Sequence, residues 1–174
     1  METTERIVES YFRYVKNYFT ISNIKCHGQF EIDLLAVKPI LTGFSNRLHI
    51  ESGVSISGPY SKLTHKQYSF EKLKERNKQA SQRRTIGYFI ERKFGAPEII
   101  EHLKKYGFEQ ENYQKVIVTW GWSEEAARIA ESHQIQLCDF RTILKDIEKY
   151  CESNKTYFTD DTLRTIQLFT KRDT

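Results

Sequence analysis

Two apolar stretches decide the fold of this chain: Gly28-Gln29-Phe30-Glu31-Ile32-Asp33-Leu34-Leu35-Ala36-Val37 and, beyond Pro39 and Gly43, Leu48-His49-Ile50-Glu51-Ser52-Gly53. The first is strongly apolar and is followed by the turn residues Pro39 and Gly43, which is typical of a strand and its exit. In the second stretch, which we expect to span residues 46–56, apolar and polar residues alternate, so that His49 and Glu51 share one face. The pattern predicts two neighbouring strands, each with one carboxylate in apolar surroundings.

Those two carboxylates, Asp33 and Glu51, suggest chemistry. A carboxylate in a buried strand is costly to desolvate unless it meets a cation or hydrogen-bond donors. If the two strands pair as a hairpin, both groups reach one face of the sheet. Two hard oxygen ligands completed by water suit Mg²⁺ or Mn²⁺. The alternative is that Asp33 and Glu51 pair with buried arginine or lysine side chains.

The rest of the chain predicts an α/β fold, with a mixed sheet flanked by helices. The last third alternates strand and helix at a spacing that implies parallel pairing through right-handed crossovers. We expect helices at 4–18, 66–80, 97–107 and 141–150, one that Ser123 caps, and one at 160–169 that Asp160 or Asp161 caps. Further strands are expected at 18–24, 116–120 and 135–140.

Length and composition bound the class of protein. The chain has 174 residues and 39% hydrophobic residues, which suits one domain spanning 1–174. It has no apolar run long enough for a membrane span and no apolar signal-peptide core. Its three cysteines are widely spaced and form no metal or disulfide pattern. We therefore expect a cytoplasmic protein with no membrane partner.

Positive charge is concentrated in one segment. Residues 62–93 contain ten lysines and arginines against three glutamates, a net charge of +7, whereas the whole chain carries +4. Such a block attracts polyanions through Coulomb forces and counterion release. We expect Lys62, Lys66, Arg83 and Arg84 to contact DNA phosphates. A solvated helix face is the other interpretation.

The same residues resemble a known family. Gly28-Gln29-Phe30-Glu31-Ile32-Asp33-Leu34 and His49-Ile50-Glu51 look like the metal-binding strands of the PD-(D/E)XK nuclease superfamily, especially its Holliday-junction resolvases and methylation-dependent restriction endonucleases. Glu9 stands where that branch has a glutamate in its first helix. The resemblance covers roughly residues 5–150 and implies a restriction-endonuclease-like sheet. It also implies Mg²⁺ or Mn²⁺ held by Glu9, Asp33, Glu51 and the backbone carbonyl of Ser52.

One position departs from the family pattern. The family has a lysine two residues after the second carboxylate, and this chain has Gly53. Another basic residue has replaced it, or the domain is a degenerate relative, or position 53 was altered. Candidates for a replacement are Lys62, Lys66 and Lys72. We expect strand geometry to leave room at position 53, so that Gly53→Lys would raise nuclease activity.

The resulting expectation is a metal-dependent DNA endonuclease that hydrolyses phosphodiester bonds and whose activity is impaired because Gly53 replaces the expected lysine, unless another basic residue fills that role. The alternative is a catalytically degenerate nucleic-acid-binding or protein-interaction module of the same fold. The sequence has no nucleophile-elbow serine and no glycine-rich phosphate loop. Their absence argues against a hydrolase triad and against nucleotide binding. The oligomeric state, a homodimer included, stays open.

Overall fold

The computed structural model of the chain describes residues 2–40, 45–55, 62–109, 112–154 and 157–170. Its five strands are β1 (Phe19–Lys25), β2 (Glu31–Pro39), β3 (Ser45–Ser52), β4 (Gln114–Thr119) and β5 (Ile135–Asp139). The helices are α1 (Thr3–Ser10), α2 (Phe70–Lys74), α3 (Gln79–Gln82), α4 (Ile86–Tyr88), α5 (Pro97–Lys105), α6 (Glu124–Ser132), α7 (Phe140–Ser153) and α8 (Asp161–Thr170). Two π-helices, Tyr11–Val15 and Phe89–Phe94, continue α1 and α4 respectively.

The strands form one mixed sheet in the order β1-β2-β3-β4-β5. The first three strands are an antiparallel meander, and β4 and β5 join it in parallel. The sheet is flanked by helices, so the expected α/β class is confirmed. In the β2–β3 hairpin Leu34 pairs with Ile50 and Leu35 with His49, which sets Asp33 beside Glu51 on the neighbouring strand.

A tight turn connects β1 to β2, and it borders the site described below. The turn His27–Gln29 contains two consecutive residues in the left-handed region, Gly28 with φ 67° and Gln29 with φ 65°. Glycine adopts that conformation without steric cost. The Cys26 amide donates to the Phe30 carbonyl at 2.9 Å and closes the turn. The chain is thereby reversed just before the strand that carries Asp33.

Each face of the sheet is covered by its own apolar core. One face packs β2, β3 and β4 against α1, α7 and α8, with a buried core of residues such as Val8, Leu34, Ile50, Ile143 and Leu163. The opposite face is covered by two further clusters. One includes Phe89 and Ile117, and the other includes Leu35 and Ile99. Alternate residues of a strand face opposite sides of the sheet, so Asp33, His49 and Glu51 lie on the face opposite to Leu34 and Ile50.

Two predicted helices are confirmed at their caps, and one is wrong. Ser123 Oγ accepts from the Ala126 amide at the start of α6, and Asp160 Oδ1 accepts from the Leu163 amide at 2.9 Å at the start of α8. The predicted helix 66–80 is instead two short helices, α2 and α3. Residues 74–78 are all exposed, so no apolar stripe holds a continuous helix against the core.

Ile56, at the end of the predicted strand 46–56, lies outside the described residues. Among the described helices, none combines the length and the apolar character that a membrane crossing requires.

Candidate active site

The β2–β3 hairpin brings the two predicted carboxylates together. The Asp33 amide lies 3.4 Å from Glu51 Oε1, and both side chains are buried, with 9% and 0% exposure. The second oxygen of Asp33, Oδ2, accepts from the Ser52 amide at 2.8 Å. The expected convergence of Asp33 and Glu51 on one face is therefore confirmed. Ser52 and Asp33 line one cavity, and the Ser52 backbone amide holds the Asp33 carboxylate in place.

A lysine that the sequence interpretation missed lies between them. Lys93 Nζ is 2.8 Å from Asp33 Oδ1 and 2.5 Å from Glu51 Oε2, and it also donates to the Glu31 carbonyl at 3.2 Å. The side chain is only 16% exposed. The contact with Glu51 Oε2 lies outside directed hydrogen-bond geometry and is chiefly electrostatic. One ammonium thus bridges two carboxylates from neighbouring strands.

The structure corrects both expectations about position 53. A Cβ atom at Gly53 would lie 3.0 Å from Phe89 Cζ, and Phe89 is buried in the core. A side chain there would press on Phe89, so a lysine at position 53 requires that ring to shift by a few tenths of an ångström. Lys62, Lys66 and Lys72 are exposed side chains. The ammonium instead comes from Lys93, on the π-helix that also supplies Phe89.

A signal for Lys93 was present in the sequence. Ile86, Phe89 and Lys93 follow the helical spacing i, i+3, i+7, so a lysine continues the stripe of apolar side chains that faces the core. A charged residue on a buried stripe requires a partner. The sequence thus shows two buried carboxylates that need a cation, Asp33 and Glu51. It also shows one lysine on a buried helix face that needs an anion, and the two could have been matched.

His49 holds the other oxygen of Glu51. Its Nε2 lies 2.7 Å from Glu51 Oε1, and its ring is fully buried, edge-on to Phe94 at 4.9 Å between centroids. Among the described residues, His49 Nδ1 has no hydrogen-bond partner. Burial lowers the pKa of His49 to about 3, and the Lys93 ammonium adds to that effect. A neutral ring with Nε2–H directed at Glu51 satisfies these contacts.

Burial and charge shift the pKa values of the three ionisable groups that meet here. Burial raises the pKa of Asp33 to about 7, and the charge of Glu51 adds to the rise while Lys93 opposes it. Burial likewise raises the pKa of Glu51. Burial alone would lower the pKa of Lys93, but Glu51 and Asp33 outweigh it and hold that pKa above its ordinary value. When both carboxylates are ionised, they leave an excess negative charge beside the one ammonium, which a proton on Asp33 or a further cation compensates.

The first helix contributes a different glutamate from the one expected. Glu9 Oε1 accepts from Arg13 at 2.6 Å, and Glu9 Oε2 accepts from Ser22 at 3.0 Å. Those contacts turn Glu9 toward β1, the edge strand, and it is not among the residues that line the cavity around Asp33. Glu5, one turn earlier, does line that cavity. Burial raises the pKa of Glu5, and the charge of Asp33 adds to the rise.

Asp33 and Glu51 are the residues of this site that could hold a hard cation. Within the described part of the chain, no group of three or more His, Cys, Asp or Glu side chains is close enough to hold a metal. Asp33 Oδ1 and Glu51 Oε2 nevertheless both contact the Lys93 ammonium. Their other oxygens are held by the Ser52 amide and by His49. The Ser52 hydroxyl is buried and has no hydrogen-bond partner among the described residues. Mg²⁺ typically uses one or two carboxylates and takes its remaining ligands from water and phosphate.

Basic residues border the same cavity, which has a volume of about 550 Å³. Arg83, Arg84 and Arg92 line it together with the acidic residues of α1 and β2. Lys62 and Lys66 do not line it. They lie on an extended segment whose Leu63 amide donates to the Gly121 carbonyl and whose Thr64 amide donates to the Arg84 carbonyl. The structure thus brings two of the four predicted phosphate contacts to the carboxylates.

Comparisons with known proteins name no function. No family model and no curated protein matches this chain. A solved crystal structure of a protein of unknown function, AF1548, is similar to it with a TM-score of 0.49 and 14% sequence identity, over 98% of this chain and 97% of that one. A likeness of that size supports no inference about activity.

Proposed function

We propose that this protein is a metal-dependent DNA endonuclease in which Lys93 supplies the lysine that position 53 lacks. The observation that carries the proposal is the position of Lys93 Nζ, 2.8 Å from Asp33 Oδ1 and 2.5 Å from Glu51 Oε2. Two carboxylates and a lysine in contact reproduce the three side-chain types of the family that the strand motifs resemble. Here they come from two strands and a helix.

Each group of the site has a role consistent with its environment. Asp33 and Glu51 would hold Mg²⁺ or Mn²⁺, and Glu5 borders the same cavity. Such an ion, when bound, lowers the pKa of a water and offsets charge on a phosphoryl oxygen. Because the carboxylates raise the pKa of Lys93, it stays an ammonium at neutral pH. It therefore donates hydrogen bonds and positive charge to a phosphate rather than accepting a proton.

If Asp33, Glu51 and Lys93 formed only a structural ion pair, a different balance of charges would be expected. A buried pair that serves only stability needs matched charges, and here two carboxylates face one ammonium at a cavity that arginines also line. Replacing a buried ion pair by apolar residues is often neutral or stabilising, so stability alone is a weak reason to keep this group. An excess of negative charge beside arginines is what binding of a cation and a phosphate together requires.

The test is cleavage of duplex and branched DNA with Mg²⁺ or Mn²⁺. Asp33→Asn should abolish cleavage, since it removes one ligand while Lys93 still pairs with Glu51. Glu9→Gln is the matched control, because Glu9 contacts Arg13 and Ser22 instead, and it should retain activity. Wild-type protein that cuts none of these DNAs with either ion would refute the enzyme and favour the binding module. Equal loss in both variants would contradict this placement of the site.

A further inference from the structure

Aromatic rings and cations alternate outward from the candidate site. Arg92 Cζ lies 4.0 Å from the ring centroid of Phe30 and 5.3 Å from that of Phe70. Lys74 Nζ lies 4.6 Å from the centroid of the same Phe70 ring. We call these four residues, Phe30, Arg92, Phe70 and Lys74, the cation–aromatic ladder. The ladder joins the β1–β2 turn to α2 through the π-helix Phe89–Phe94.

The inner end of the ladder adjoins the carboxylates. Phe30 precedes Glu31, whose carbonyl accepts from Lys93 Nζ at 3.2 Å, and Phe30 and Arg92 both line the cavity that contains Asp33. The outer end is open, since Phe70 is 44% exposed. A polymer that places one phosphate at Lys93 therefore meets Arg92 next and Phe70 beyond it.

The chemistry of the ladder suits unpaired nucleotides. Neither Arg92 nor Lys74 forms a salt bridge with a carboxylate of the described residues, so both cations are available to phosphates. Exposed rings and guanidinium planes stack on bases, each stacked base contributing roughly 1–3 kcal/mol as judged by alanine substitution. Bases in a duplex are already stacked on their neighbours and present only their edges. The aromatic members would therefore add nothing to binding of a blunt duplex.

We propose that the ladder binds a single-stranded segment of DNA that leads into the site. The choice of DNA rests on the proposed function, and the ladder narrows the substrate class to DNA with an unpaired end, overhang or branch. Phosphates of the segment would pair with Arg92 and Lys74, and a base would stack on the exposed ring of Phe70. The +7 charge of residues 62–93, which include three of the four ladder residues, complements that strand.

Binding measured without metal tests the ladder separately from cleavage. Fluorescence anisotropy would compare a labelled single strand with the blunt duplex of the same sequence, in the presence of a chelator. Phe70→Ala should weaken single-strand binding roughly 5- to 100-fold and change duplex binding little. Phe70→Tyr should restore single-strand binding because it keeps the ring. Phe19→Ala is the matched control, a 74%-exposed phenylalanine at the opposite end of β1.

The outcomes separate the two proposals. Unchanged single-strand affinity in Phe70→Ala overturns the ladder, and so does an equal loss for single strand and duplex. If Phe70 governs single-strand binding but no DNA is cut with Mg²⁺ or Mn²⁺, the ladder stands and the nuclease proposal fails. If the protein cuts DNA and Phe70→Ala cuts overhanging and blunt DNA at wild-type rates, the nuclease stands and the ladder fails.

Discussion

Phe89 occupies the space that a side chain at Gly53 would need, with its Cζ atom 3.0 Å from the position of a Cβ atom on residue 53. Four residues later on the same π-helix, Lys93 reaches both carboxylates. The absence of a side chain at position 53 and the approach of an ammonium from the helix are therefore physically coupled. A helix that places Phe89 against position 53 favours a glycine there, and the same helix brings an ammonium to the two carboxylates.

This coupling predicts the outcome of substitutions at Gly53. Gly53→Ala should destabilise the protein by about 1–3 kcal/mol, since overpacking a closed core has that cost. Phe89→Leu removes the tip of the ring that faces position 53. Combined with Gly53→Ala, it should restore part of the lost unfolding free energy. Urea unfolding of both single variants and the double variant measures the coupling free energy. Additive effects would show that Phe89 does not restrict position 53.

Lys93 should be the lysine on which cleavage depends. Lys93→Met removes the ammonium and keeps much of the apolar stem, so cleavage with Mg²⁺ should fall about 100- to 1,000-fold, the range for loss of one positioned charge or donor. Three control variants replace exposed lysines and should cut DNA nearly as fast as wild type: Lys62→Met, Lys66→Met and Lys72→Met. Circular dichroism would confirm folding of each variant. Wild-type cleavage by a folded Lys93→Met protein would reduce Lys93 to a counter-ion.

Asp33 should make stability depend on pH in the absence of metal. Its pKa rises from 3.8 to about 7 on folding, so the folded state holds that proton more tightly than the unfolded state. This contribution is complete below the unfolded pKa and is lost as pH rises through about 7, on the order of a few kcal/mol. Melting temperature relative to Asp33→Asn should therefore fall between about pH 4 and pH 7. A parallel pair of curves would show that Asp33 is already ionised.

His49 should position Glu51 for the metal. His49→Leu removes the donor to Glu51 Oε1, 2.7 Å away, and should weaken Mn²⁺ binding by about 10- to 100-fold, as is typical for partners of metal ligands. His49→Gln keeps a donor and should recover part of that affinity. Calorimetric titration with Mn²⁺ checks both variants without reference to cleavage. Equal affinity for His49→Leu and wild type would leave His49 a core residue only.

Much of the fold was readable from local pattern. Strand alternation, the caps at Ser123 and Asp160, and the carboxylates in apolar strands all depend on residues near one another along the chain. Asp33 and Glu51 could be paired because a hairpin sets a predictable register between adjacent strands. The helix expected at 66–80 was wrong because charge and propensity do not show whether a face packs on the core.

The contributions of Lys93, Glu5 and Phe89 were decided by the tertiary structure. The sequence determined that two carboxylates share one face of a sheet, since period-2 alternation acts over a few residues. It did not determine which cation meets them, because Lys93 is 60 residues from Asp33 along the chain and arrives on a separate helix. The placement of α1 along its axis likewise put Glu5 at the cavity and Glu9, one turn later on the same face, at the sheet edge. The helical spacing of Ile86, Phe89 and Lys93 shows that this lysine needs a buried partner, but which partner it meets depends on how distant apolar faces pack.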